Sequence, residues 1–149
     1  MKRISFGMAL FTGVLLAVGA CGDDDPTGPV TYQLTFSGDA SFQDPHGGQN
    51  VYVAIVRDSD DFILAEQSGV VSATADPSFS FTFPNALPAG VAYDVDYFID
   101  SNFGGGTVGA CDPVPTDHQW SESQLPATAD VTVTESHNTN FGDVCANFN

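Results

Sequence analysis

The stretch "SFSFTFPNALPAGVAYDVDYFID", Ser78–Asp100, decides the fold. Phe79, Phe81 and Phe83 alternate with serine and threonine. After a turn-forming run from Pro84 to Gly90, Val91, Tyr93, Val95, Tyr97 and Ile99 alternate with Ala92, Asp94, Asp96 and Phe98. Successive side chains of a strand point to opposite faces, so this period of two predicts strands with an apolar inner face, and with Asp94 and Asp96 turned outward.

The pattern extends in both directions. "TYQLTF" sets Tyr32, Leu34 and Phe36 on one face, and "NVYVAIV" is nearly continuous and β-branched, as in a strand covered on both sides. "FILAEQ" and "GVVSATA" read as a hairpin around Gln67-Ser68-Gly69, and "ADVTVT" offers Val131 and Val133. Turn clusters at Asp44–Gly48, Asp76–Ser78 and Pro84–Gly90 separate these runs, and no segment carries a helical period. The expectation is an all-β protein: a single antiparallel β-sandwich of about seven strands over residues 30–149.

Leu87-Pro88-Ala89-Gly90 followed by Tyr93-Asp94-Val95 resembles the hairpin of transthyretin-like and carboxypeptidase-regulatory-like, Ig-like β-sandwiches. The resemblance covers about twenty residues and implies an envelope module without catalysis. The long loop after Asp100 departs from that pattern.

The amino terminus carries a separate message. Lys2-Arg3, an apolar run and the small residues closing on Ala20 form the pattern of a secretory signal peptide over residues 1–20. Val18-Gly19-Ala20-Cys21 resembles the lipobox of bacterial lipoproteins, which implies a diacylglycerol on the Cys21 thiol and cleavage just before it. Residues 21–29, rich in aspartate, proline and glycine, then form a solvated tether. The resemblance implies a lipid-anchored protein of the bacterial cell envelope. Gly22 directly after the cysteine favours the outer membrane, at its periplasmic face or at the cell surface.

Beyond residue 20, Arg57 is the only basic side chain against 19 acidic ones. Such a surface cannot neutralise phosphates, which excludes nucleic acid as a partner. It favours cations, cationic partners or simple solubility. Envelope proteins and glycans remain open as partners. With Cys21 lipidated, Cys111 and Cys145 are left as an even pair, expected as a disulfide in an oxidising compartment.

Two loop regions carry candidate ligands. In "DSNFGGGTVGACD", Asp100-x-Asn102-x-Gly104 opens like a calcium loop, with oxygen donors on alternate residues. The pattern then breaks, with Gly104 at the fifth position and Cys111 at the twelfth, so Asp112 and Asp117 would have to supply carboxylates from another geometry. The alternative is an Asp-capped surface turn. Gly104-x-Gly106-x-x-Gly109 matches a dinucleotide fingerprint by letter only, since "ACDPVPTD" cannot begin a helix. His46 and His118 both lie in aspartate-containing turns. If they met at one end of the sandwich, with Asp100 or Asp117 beside them, they could hold copper or zinc.

Trp120 reads as the core tryptophan in preference to an exposed stacking residue. Motifs for acyl transfer, metalloproteolysis and nucleotide hydrolysis are absent from the sequence, so the expectation is a non-enzymatic binding or structural module, with calcium as a possible ligand and metal binding as the alternative function.

Overall fold

The computed structural model describes residues 28–148. The signal peptide at 1–20, Cys21 and most of the tether lie outside the described residues. Seven strands follow in order: β1 (Thr31–Gly38), β2 (Asn50–Arg57), β3 (Phe62–Val70), β4 (Phe79–Pro88), β5 (Tyr93–Ile99), β6 (His118–Gln124) and β7 (Val131–Glu135). They form a three-stranded sheet in the order β4-β1-β7 and a four-stranded sheet in the order β3-β2-β5-β6. The protein is an all-β sandwich, as the period of two predicts.

The apolar positions meet between the sheets. Leu34 and Phe36 of β1 and Phe79, Phe81, Phe83 and Leu87 of β4 face Val51, Val53 and Ile55 of β2 and Tyr93, Val95, Tyr97 and Ile99 of β5. Phe36 packs on Tyr97 across the interface at 5.0 Å between ring centres. Burial of such side chains contributes roughly 1.5–3 kcal/mol each, and these aromatics dominate the core. Trp120 is buried and stacks on Tyr97 at 5.0 Å and 16°, so it is the core tryptophan.

Several details differ from the sequence expectations. The pairing of β1 with β7 is parallel, whereas the four others are antiparallel. The Phe-rich strand and the Tyr-rich strand do not form a hydrogen-bonded hairpin. β4 pairs with β1 and β5 pairs with β2 and β6, so the chain crosses from one sheet to the other at Pro88–Tyr93. The expected hairpin around Gln67-Ser68-Gly69 is a single strand running against β2. Its turn lies earlier, at Asp58–Asp61, where Asp61 has φ of 54° and Arg57 pairs with Asp60 at 2.7 Å. Gly69 serves packing instead: a Cβ there would stand 3.2 Å from the Phe81 ring.

Cys111 and Cys145 are joined in a disulfide. It fastens the carboxy-terminal segment over the outer face of the four-stranded sheet. There Val144 and Cys111 bury Phe98, and Phe148 packs edge-on to the same ring at 4.9 Å. Asp96, expected to face water, points outward from the sandwich but is covered by this segment and accepts a hydrogen bond from Asn147 Nδ2 at 2.6 Å. Burial raises its carboxyl above the usual range, against the hydrogen bonds from Ser121 and Asn147.

Candidate metal centre

One end of the sandwich gathers three imidazoles. His46 closes a single helical turn (Gln43–His46) between β1 and β2, His118 opens β6, and His137 follows β7 by two residues. The parallel pairing of Gly38 with Glu135 brings the exit of β7 to the exit of β1. The His46 turn is held from both sides. Gly47 N–H donates to Gln43 O at 2.8 Å, and a Cβ on Gly47 would clash with Ala73 at 2.8 Å, so only glycine fits. Asp39 ties the other two approaches together: it accepts from Ser41 N–H at 2.9 Å and from the hydroxyls of Ser41 and Ser136, while Ser41 Oγ accepts from His137 N–H at 2.8 Å. These bonds hold its carboxyl below the ordinary value.

The tautomer of His46 follows from its neighbours. Its Nδ1 lies 2.7 Å from Gln49 Oε1, an acceptor, so Nδ1 carries the proton. Ser101 Oγ donates to Ile99 O at 3.0 Å, which leaves its lone pairs for the same Nδ1 at 3.3 Å. His46 Nε2 is therefore a lone-pair donor. It accepts a hydrogen bond from His118 Nδ1–H at 3.1 Å, and an ion bridging the two nitrogens would displace that proton. Two nitrogens bound tetrahedrally to one metal at ~2.0–2.1 Å stand roughly 3.3 Å apart, so this spacing suits a shared ion. An outer carbonyl fixing the free nitrogen of an imidazole is also the usual support of a metal ligand. The ligand atoms of His46, His118 and His137 all lie within 4.8 Å of one another. His137 Nε2 is buried without a hydrogen-bond partner.

Aromatic side chains wall the cluster. Phe141 lies 4.1 Å and Phe103 5.1 Å from His118 between ring centres, and Phe42 lies 5.6 Å from His137. Trp120 stands steeply against all three imidazoles, at 5.8–6.2 Å. This environment disfavours imidazolium. Burial brings His46 down to about 4, opposed by its bond to Gln49 and aided by the nearness of His118 and His137. Burial and His137 lower His118 while Asp117 opposes them, and burial lowers His137. All three are neutral at pH 7, which is the form that binds metal.

The aspartates of the long loop are arranged differently. Asp117 is fully buried and accepts from the main-chain N–H of Asn102 at 3.0 Å and of Asp112 at 2.9 Å. Asp100 accepts from Gly109 N–H at 2.8 Å and from the Asn102 amide, and Asp112 accepts from Thr107 N–H. These oxygens fold the loop. Among the described residues, the histidine triad is the one group of three metal-ligating side chains whose donor atoms converge.

The structure brings His46 and His118 together at one end of the sandwich, and neither Asp100 nor Asp117 joins them. The third imidazole is His137, which the sequence reading left unassigned. Its position directly after a β-branched strand was a usable signal only with the strand order known. No family model matches the chain, and neither does a curated protein.

Proposed function

We propose that this protein is a transition-metal-binding β-sandwich module of the bacterial envelope, anchored through lipid on Cys21 and binding its ion without catalysing a reaction. The observation that carries the reading is the convergence of three neutral imidazoles, one oriented by Gln49, at the end of the sandwich. Copper and zinc are the ions that imidazole sets of this kind suit. The lipobox-like segment supports the anchor, and the acidic surface supports attraction of cations.

Trp120, the single tryptophan, supplies the test. Titrating copper into the metal-free protein should quench its emission and saturate at one ion per chain, with loss of both effects in the His118→Ala variant. Emission unchanged by copper and a chain free of copper and zinc by elemental analysis would defeat the reading. Lipidation is tested apart from this, by the mass of the Cys21 peptide from the membrane fraction.

A second reading, a module for a glycan or an envelope protein, is favoured by one other observation. A groove of about 520 Å³ runs over the outer face of the four-stranded sheet, lined by Tyr52, Phe98, Phe148, Glu66, Ser68 and Asn147. Aromatic planes beside amides and a carboxylate suit an uncharged polar ligand.

A further inference from the structure

We infer that the triad is built for one cuprous ion rather than a divalent one. The inference rests on the metal-binding reading and names its ion.

Charge is the first argument. The cost of taking an ion out of water grows with the square of its charge, so a divalent ion in an apolar pocket needs more compensation than a monovalent one. The three donors here are neutral imidazoles, and the walls are Phe42, Phe103, Phe141 and Trp120. Asp117, fully buried and next to His118 in the chain, acts on that imidazole. Its oxygens are held by the main-chain N–H groups of Asn102 and Asp112, so it cannot swing in as a ligand. With no carboxylate among the converging donors, a monovalent ion leaves less charge uncompensated than a divalent one.

Coordination number is the second. Zinc is almost always four-coordinate, with four protein ligands in closed sites and three plus a water in open ones, so three histidines would hold zinc only with a water or another oxygen in the fourth place. Among the described residues the converging set has three members. Monovalent copper shares zinc's filled d shell but carries one charge, so three nitrogen donors can satisfy it without a fourth. The indole of Trp120, at 5.8–6.2 Å from the imidazole centres, adds an apolar wall beside the cluster.

The experiment uses the metal-free full chain in detergent, under nitrogen and without thiols so that the disulfide stays closed. Cuprous ion in acetonitrile is competed against bicinchoninate, and zinc is competed against a pyridylazo chromophore. The expected result is one cuprous ion per chain, bound at least about 100-fold tighter than zinc. X-ray absorption should give three nitrogen neighbours and no fourth donor. His137→Ala should weaken cuprous binding about tenfold or more, and His137→Asn serves where the alanine variant fails to fold. Zinc bound as tightly as cuprous copper, or a fourth oxygen on the copper, would overturn the inference while leaving the metal site in place. Binding of neither ion would end both.

Discussion

The two loop systems at the His118 end of the four-stranded sheet are built from opposite use of their donor atoms. In the loop from Asp100 to Asp117, carboxylate oxygens accept from the main-chain N–H groups of Asn102, Thr107, Gly109 and Asp112. In the histidine cluster, the outer nitrogen of His46 is fixed by Gln49 and the inner nitrogens face one another. A donor that already holds the backbone shapes the protein, whereas imidazole nitrogens that bond only to one another can turn to a ligand by giving up the shared proton. The residue types alone put calcium ahead of copper or zinc. The hydrogen bonds separate them.

The largest test of this contrast removes the wall shared by the imidazoles. Trp120→Ala should cost about 3–5 kcal/mol in urea unfolding, since Trp120 supports Tyr97 and all three histidines. A loss under 1 kcal/mol would mean that the cluster stands without it. Replacing Cys111 and Cys145 with serine releases the acidic loop from the carboxy-terminal segment and should cost roughly 3–4 kcal/mol. That change should leave metal affinity at the triad nearly unaltered, which copper titration of the same variant reads directly.

A transition metal at about 100 times its Kd should raise stability by ~2.7 kcal/mol, seen as a higher unfolding midpoint that disappears in His137→Ala. Acid gives the next effect. The folded protein holds His46 near 4, below its unfolded value of about 6.5, so the unfolded chain binds the proton first. The contribution of neutral His46 is therefore complete above about pH 6.5 and falls as pH drops toward 4, by about 2 kcal/mol at pH 5 in metal-free protein. Denaturant midpoints flat between pH 7 and 5 would contradict this. The smallest effect is expected from calcium. With the loop carboxylates already committed to N–H groups, millimolar calcium should move the midpoint by about a degree at most. A larger shift would return Asp100, Asn102, Asp112 and Asp117 to candidacy as ligands.

The inner face of the sandwich was legible because alternation is a local property. Phe79, Phe81, Phe83, Tyr93, Val95, Tyr97 and Ile99 face the core as their period of two requires. Strand partners were not legible, because they depend on distant chain. Nothing within Ser78–Asp100 says that its two strands belong to different sheets. Gly69 mimicked a turn because glycine serves close packing as well as turning, and here it admits the Phe81 ring. Asp96 looked solvent-facing because alternation distinguishes the two faces of a sheet but not whether a later segment covers the outer one. The same gap hid His137: His46 and His118 could be joined by analogy of context, whereas the third imidazole required knowing that β7 runs beside β1.

The parallel ladder between β1 and β7 also bears on how the chain reaches its fold. Leu34 pairs with Val131, so the three-stranded sheet stays incomplete until segments almost a hundred residues apart find each other. Loops of that length close at a large entropic cost, and sandwiches rich in such pairings fold in milliseconds to seconds, far slower than helical domains. Until β7 docks, one edge of β1 is open to any other strand, and His137 is not yet beside His46. The three imidazoles converge only once β7 lies beside β1, so an ion held by all three would report that this pairing has formed.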